Sequence, residues 1–550
     1  QFRSGTDTEV VLKSYIQWGE GCLERFVGMF SIAIWDGRVN RLFLARDRIG
    51  IKPLYYYRTK DTIIFASEMK SIMAFEGFPR EIDQDAFALF LHFQFVPGPQ
   101  SIFRNTFKLL PGHYALIDGN NFIIKQYWYP SDPEVEDERP TYKEDTYVDE
   151  LEQLLTTAVS DRLISDVPLG ALLSGGIDSS LVVSIMQKVS NRPVRTFSIG
   201  FSEEKYNEAH WSSEIARYLG TNHTEFYVSA RDALEVIPKL PSLFDEPFGD
   251  SSAIPTALVC AITRSAVTVA LSGDGGDELF AGYDRYWKTC KKVTILDNIP
   301  IQLKNTMAKL MQNFPLSFIE RFNTLAQTMF PNVFMLGNAS DKWKTLHHLL
   351  VENKIEEIYR MSMSIWQKYD IYDLINRDIP GSELEHHFKR TIAWPLLSRL
   401  MMIDMKTILP DDYLTKVDRT SMAVGLEVRV PILDHRIVEY ASQIPNHLKL
   451  NNGTSKYILK KILNRYLPKK LFERPKKGFG VPIDSWFRGE LKPLLMDYLS
   501  IDRLRKEGIF NTDIIMKILD EHVQGKANHR HRLWTLLMWE MWREKWMNDS

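Results

Sequence analysis

Leu173-Ser174-Gly175-Gly176-Ile177-Asp178-Ser179-Ser180 joins an apolar run, Ala171-Leu172-Leu173, to a helix-like stretch from Ser179. A strand that ends in a small-residue loop and opens a helix has the makings of a phosphate cradle. Its glycines let backbone N–H groups face an anion, the helix N-terminus adds positive potential, and serine hydroxyls donate to phosphate oxygens. Asp178 would repel phosphate unless a cation bridges them, which points to magnesium, a metal that takes a few carboxylates plus phosphate oxygens. The lysine of a GxxxxGK(S/T) loop is missing, which disfavours kinase-like chemistry at a γ-phosphate. Ser-Gly-Gly alone also fits an ordinary strand-to-helix turn.

A second stretch repeats the design. Val267 to Leu271 is an apolar strand, followed by Ser272-Gly273-Asp274-Gly275-Gly276-Asp277-Glu278 and an aromatic-rich segment. Ligands of open parallel sheets sit beyond the carboxyl ends of the strands, so two such loops can close on two sides of one nucleotide. A calcium loop is excluded, because the twelve-residue ligand order and its terminal glutamate are lacking. Around these loops strands and helices alternate: a helix from Ser179, a strand from Val194 to Phe201, a helix over Asn207 to Leu219, and a strand from His223 to Val228. The pattern predicts a doubly wound, parallel α/β sheet. Residues 287–389 read as an all-α insertion without a chemical signature, and Arg530 to Trp546 as a Trp-rich amphipathic helix used for packing.

Upstream the pattern changes. Gly28 to Trp35 alternates, Asp36-Gly37 signals a hairpin, and Arg41 to Ala45, Pro53 to Tyr57 and Thr62 to Ala66 continue an antiparallel meander between helix-like stretches at Glu9 to Trp18 and Asp83 to His92. Tyr129 to Tyr142, with Pro130, Pro133, Pro140 and a cluster of acids, reads as a linker. The expected division is therefore an antiparallel β domain over 1–129, a linker over 130–142, and an α/β domain over 143–550.

The 550 residues allow several cores, and 44% apolar with 25% charged side chains excludes wholesale disorder, collagen and coiled coil. Sixty-eight basic against seventy acidic residues leave no global basic field for nucleic acid or anionic lipid, so an anionic ligand must be held locally. The least polar long stretch, Ala253 to Ser272, contains Pro255 and Arg264 and falls short of a membrane span. Cys22, Cys260 and Cys290 lie far apart with no CxxC pair, which disfavours a disulfide framework or zinc cluster and suits a reducing cytoplasm. Histidines such as His529 and His531 show no ligand spacing with a third partner, so no transition metal is assigned.

The first loop resembles the pyrophosphate loop of the ATP pyrophosphatase superfamily. Together with Leu271 to Tyr283 and Gly425-Leu426-Glu427-Val428-Arg429-Val430-Pro431-Ile432-Leu433-Asp434, it is similar to the synthetase domain of glutamine-dependent asparagine synthetases. Thr6 to Val10, Ala45 to Tyr55 and Phe65 to Lys70 resemble the later part of that family's class II, Ntn-type glutaminase domain. The resemblance covers nearly the whole chain except the helical insertion. It implies ATP-dependent amidation of aspartate: a carboxylate resists ammonia, so the family adenylates it, and ammonia then displaces AMP, pyrophosphate having already left.

By this resemblance Ser174, Gly175, Gly176, Asp178 and Ser179 hold the pyrophosphate of ATP, Asp178 and Asp277 hold magnesium, and Leu173, Ile199, Ser272 and Gly273 frame the adenosine. Asp274 stands where better-known members carry a glutamate linked to forming the aspartyl-adenylate. It is one methylene shorter, yet a carboxylate there can orient ammonia or take its proton. Lys456 matches a family lysine that stabilises the departing pyrophosphate; read alone, it is a solvated lysine at a helix start. Asp7 matches a contact to the α-amino group of glutamine.

Asp245-Glu246-Pro247-Phe248-Gly249-Asp250-Ser251-Ser252 reads equally as a lining of the amino-acid pocket or as a capped turn. Lys476-Lys477-Gly478-Phe479-Gly480 reads as a charged surface loop or an approach to phosphate. The family's N-terminal cysteine nucleophile, and the arginine and Asn-Gly segment that precede the match to Asp7, have no counterpart, and Cys22 reads as a small buried thiol. The expectation is a chain that cannot itself use glutamine, either truncated at its N-terminus, the favoured explanation, from a parent that passes ammonia through an internal channel, or one that has lost glutaminase function and takes free ammonia. Two other functions stay open: amidation of another carboxylate, such as a sugar acid, and a non-catalytic nucleotide-binding regulator. The expected partners are small molecules, with a homodimer implied by resemblance alone.

Overall fold

The computed structural model describes residues 2–119, 121–133, 143–201, 209–312, 339–352, 354–473 and 480–547. In its first part, strands β1 (Ser31–Asp36), β2 (Arg41–Arg46), β3 (Tyr55–Arg58), β4 (Ile63–Ala66), β5 (Thr106–Lys108), β6 (His113–Asp118) and β7 (Asn121–Gln126) form two antiparallel sheets, ordered β1-β2-β6-β7 and β4-β3-β5. The hairpin read at Asp36-Gly37 joins β1 to β2, with Asp36 opposite Arg41. Strands β5 to β7 were not legible as strands in the sequence, because Pro111, Gly112 and Gly119 break the run into short pieces.

The motif at Ala45 to Tyr55 builds a corner. The buried Asp47 accepts the amides of Ile49, Gly50 and Ile51 on Oδ1 at 3.1, 2.7 and 3.0 Å, and those of Lys52 and Phe30 on Oδ2 at 2.8 and 3.3 Å. Arg46 donates to the carbonyls of Lys52, Leu109 and Gly50. These side chains take up backbone groups that a turn leaves without ladder partners.

Five strands, β8 (Leu169–Leu172), β9 (Arg195–Phe201), β10 (Asn222–Val228), β11 (Val269–Leu271) and β12 (Glu427–Arg429), form a wholly parallel sheet ordered β10-β9-β8-β11-β12. The chain winds outward from β8 to β10, then returns to the other side at β11, which is the doubly wound order expected from the sequence. Gly170 is required on β8, since a Cβ there would lie 2.8 Å from both the Arg195 carbonyl oxygen and the Phe197 ring. Phe197, Ile199 and Phe201 face one core; Ala171, Leu173 and Leu271 face the other.

The described part of 287–389 is helical, and Val293, Leu296, Ala308, Met311, Leu349, Leu350 and Ile358 form a small core of their own. Residues 313–338 and 353 of that segment lie outside the described residues, as do 134–142 of the expected linker and 474–479 of the basic glycine loop. The closing helix, Arg530–Met547, packs as expected but is not amphipathic. Leu533 to Trp542 are all buried, the state of a helix covered on every side. Among the described residues no helix is long and apolar enough to cross a membrane.

Lys406 lies where the two parts meet. It is 6% exposed, its Nζ lacks a hydrogen-bond partner among the described residues, and it faces the rings of Trp128 and Tyr129 at 5.2 and 5.0 Å. Burial, reinforced by Arg390 and Arg46, pulls its ammonium down to about 7. The unfolded chain keeps that proton until about pH 10, so the stability this group costs is restored as pH rises from about 7 to about 10. Lys406→Met should flatten this rise in thermal melts taken across the range and add about 2–4 kcal/mol at pH 7; equal slopes in the two proteins would refute it.

Candidate active site

Strands β8 and β11 are neighbours, with Leu169 opposite Val269 and Ala171 opposite Leu271, so their loops leave the sheet side by side where the strand order reverses. In the first loop Gly175 takes φ +72°, and the Ser174 and Ser179 hydroxyls lie 2.9 Å apart. The amides of Ser174 and Gly176 donate to Ser179 Oγ and Ser174 Oγ at 3.2 and 3.3 Å. The 13-residue helix Ile177–Val189 follows, with no side-chain cap at Gly176. Serine hydroxyls and a helix N-terminus thus stand together, the combination that suits phosphate.

The second loop fits against the first because it is made of glycine. A Cβ on Gly273 would lie 2.5 Å from the Ser179 amide nitrogen, and one on Gly276 would overlap the Asp178 carboxylate. Gly275 takes φ +93° against Leu433, a residue of the third quoted motif. Gly276→Ala should therefore push Asp178 out of place and lower the activity of this site at least about 100-fold. The chain should remain folded by circular dichroism, and activity near that of the parent would contradict this packing.

A third element closes the group. Lys456 takes φ +52° just before the helix Tyr457–Leu463 and donates its amide to the Phe280 carbonyl at 3.1 Å. Its ammonium pairs with Asp178 Oδ2 and lies 2.8 Å from Asp277 Oδ1. At 4% exposure it is not the solvated lysine of the plain reading. Burial opposes its charge, but the two carboxylates outweigh burial and hold its pKa above the usual lysine value.

Asp274 Oδ2 accepts from Ser272 Oγ at 2.6 Å, and burial pushes its carboxyl up. Glu278 is more deeply buried; burial and then the charge of Asp277 push it up as well, and it accepts from the Tyr283 hydroxyl at 2.7 Å. The structure thus gathers Ser174, Gly176, Asp178, Ser179, Ser272, Gly273, Asp274, Asp277 and Lys456. Leu173 and Ile199 lie beside these loops, at the end of β8 and on the neighbouring strand β9, the Leu173 amide donating to the Phe197 carbonyl at 2.8 Å, with their side chains in cores on opposite faces of the sheet. Asp7 lies exposed at the start of helix Asp7–Trp18, outside this group, and Cys22 is fully buried, with its thiol pushed up to about 11 by burial.

The segment 245–252 splits. Asp245 and Glu246 turn toward the first part, where Glu246 pairs with Lys108 at 3.0 Å and Asp245 accepts the Lys70 amide at 2.9 Å. Asp250 and Ser252 both accept from Lys416 Nζ at 2.7 Å. Burial works against the Asp250 anion, but Lys416 more than offsets it, and the Asp250 pKa falls. Sequence reasoning missed Lys416, because a single lysine in Leu414-Thr415-Lys416-Val417 has no spacing signal, and it gave Tyr283 no role beyond closing the quoted motif.

Among the described residues no group of three or more His, Cys, Asp or Glu is gathered for a metal ion. Asp178 and Asp277 do converge on one cation, the ammonium of Lys456, across a gap that Gly276 and Gly282 leave open; a Cβ on Gly282 would overlap Asp277 Oδ1 and Lys456 Cε. Two carboxylates beside a phosphate cradle fit magnesium, which is commonly held by one or two carboxylates plus phosphate oxygens.

Comparison with known proteins agrees with this arrangement. The asparagine synthase family matches residues 150–544, and the glutamine amidotransferase domain family matches residues 1–128. The chain is 31% identical over 547 residues to asparagine synthetase [glutamine-hydrolyzing] 1 of Bacillus subtilis, covering 98% of this chain and 81% of that protein. It is 30% identical over 564 residues to a putative asparagine synthetase [glutamine-hydrolyzing] of Mycobacterium tuberculosis, covering all of this chain and 81% of that one. It is 25% identical over 570 residues to the amidase chyE of Penicillium rubens, covering 95% and 79%. With that coverage and with both loops in place, the chain belongs to the asparagine synthase family and is a carbon–nitrogen ligase of the glutamine-dependent class.

Proposed function

We propose that this protein converts L-aspartate to L-asparagine through an aspartyl-adenylate, consuming ATP, releasing AMP and pyrophosphate, and using ammonia supplied by glutamine hydrolysis. The observation that carries this reading is the meeting of the two strand-end loops on Lys456. Ser174, Ser179 and the N-terminus of helix Ile177–Val189 bind and orient the phosphates of ATP. Lys456, fixed between Asp178 and Asp277, offers its positive charge to the departing pyrophosphate. Magnesium held at Asp178 and Asp277 supplies further charge neutralisation when bound. Asp274 orients ammonia or accepts its proton; burial raises its carboxyl toward the range useful for that transfer. Ser272 and Gly273 border the nucleotide, with Leu173 and Ile199 supporting that border from their two cores. Asp7 contacts the α-amino group of glutamine. The two buried cysteines and the absence of a CxxC pair suit a reducing cytoplasm.

Pyrophosphate release with magnesium, ATP and ammonium, with and without L-aspartate and with asparagine followed by chromatography, tests this. Aspartate-dependent release with matching asparagine is expected. A second reading is kept open by the helical insertion at 287–389, which has a core of its own: another carboxylate, such as a sugar acid, is the acceptor. Intact ATP binding with no response to aspartate would select it. The Lys456, Asp178 and Asp277 cluster argues against a regulator without catalysis, since its charges are arranged for a reaction that moves phosphate.

A further inference from the structure

We propose that Asp404 is a positioning residue of the synthetase site: through Arg285 and Tyr286 it holds a strained turn, residues 280–283, in the shape that sets Asp277 against Lys456. The proposal rests on the functional reading above, and its test has an arm that does not depend on activity.

Asp404 sits on helix Leu396–Lys406, well over a hundred residues from the loop it serves, and is fully buried. Its Oδ2 accepts from Arg285 Nε at 3.0 Å, from Arg285 Nη2 and from the Tyr286 hydroxyl at 2.7 Å; its Oδ1 accepts from the Tyr359 hydroxyl at 2.5 Å. One buried carboxylate with this many charged and hydroxyl donors fixes the start of helix Asp284–Asp297. The Arg285 guanidinium in turn lies 3.9 Å over the Tyr283 ring, and Tyr283 bonds Glu278 in the second loop.

Between that anchor and the loop the backbone is strained. Ala281, 1% exposed, takes φ +54°, a conformation that alanine adopts at a cost and keeps only where its surroundings over-determine it. The strained turn does chemical service. The Gly282 amide donates to the Asp277 carbonyl at 2.8 Å, the Lys456 amide donates to the Phe280 carbonyl at 3.1 Å, and Gly282 leaves the space in which Asp277 and Lys456 meet. If the turn relaxes, both contacts shift together. The Asp404 carboxylate is taken up by Arg285, Tyr286 and Tyr359, so it acts on the loop through Arg285 and Tyr286.

The test uses Asp404→Asn alone and combined with Ala281→Gly, since glycine takes the left-handed conformation without strain and needs no anchor. In Asp404→Asn we expect amide exchange at Gly282 and Lys456 to rise at least tenfold more than in the β8 and β9 amides. We also expect kcat for pyrophosphate release to fall about 10–100-fold with KM for ATP within threefold. Ala281→Gly in that background should recover at least fivefold in kcat and most of the exchange protection without restoring the melting temperature. A uniform rise in exchange across the sheet, or a kcat loss that Ala281→Gly leaves untouched, would overturn the proposal and leave Asp404 a merely structural partner of Arg285. Should the parent chain release no pyrophosphate with any acceptor, the functional reading fails, and the exchange arm still decides whether Asp404 holds the turn.

Discussion

Lys456→Met is expected to lower aspartate-dependent pyrophosphate release by about 100- to 1,000-fold, the loss typical when one preorganised donor to a developing negative charge is removed. The same substitution should destabilise the chain. Lys456 is the cation between Asp178 and Asp277, whose side chains are 15% and 21% exposed, and without it two carboxylates face each other. Solvent softens the repulsion, so the cost is placed at about 1–3 kcal/mol, below that of breaking a fully buried pair. Millimolar magnesium should return more stability to the variant than to the parent, because the ion takes the place the ammonium has left. Melting curves with and without magnesium, read beside pyrophosphate release, check both halves. An unchanged melt with release within a few-fold of the parent would show that Lys456 neither holds the carboxylates nor serves the reaction.

The second large effect is at the seam between the two parts. Glu246, 8% exposed, accepts the Ile102 amide at 2.8 Å and the Tyr55 hydroxyl at 3.1 Å and pairs with Lys108 at 3.0 Å. Glu246→Ala leaves the buried Lys108 ammonium without its carboxylate and should cost about 3–5 kcal/mol. Glu246→Gln keeps an acceptor for Ile102 and Tyr55 and should cost less. Chemical denaturation compares the two. Equal losses would mean that packing, and not the Lys108 pair, is what Glu246 supplies. The seam also bears on Lys52, which reaches Asp418 at 2.9 Å from the corner built around Asp47, so the first part is fastened to the second at more than one point.

The alternation of strands and helices, the two glycine loops, and the residue types that phosphate and magnesium require are legible in the residues alone. These are local properties: a run of apolar residues, a glycine where the backbone must approach another chain segment, a serine at a helix start. The two loops were expected on two sides of one nucleotide, and the structure makes β8 and β11 neighbours; the order β10-β9-β8-β11-β12 came from the structure. Tertiary structure alone decided the rest. It turned Lys456 from a lysine at a helix start into the buried bridge between two carboxylates, because the pairing joins residues nearly 280 positions apart and leaves no periodic trace in the chain. It divided the acidic stretch 245–252 between the seam and Lys416, turned the side chains of Leu173 and Ile199 to opposite faces of the sheet, and buried Leu533 to Trp542 on every side. Each outcome depends on which distant element covers a side chain, and burial against a partner far along the chain is what periodicity cannot encode.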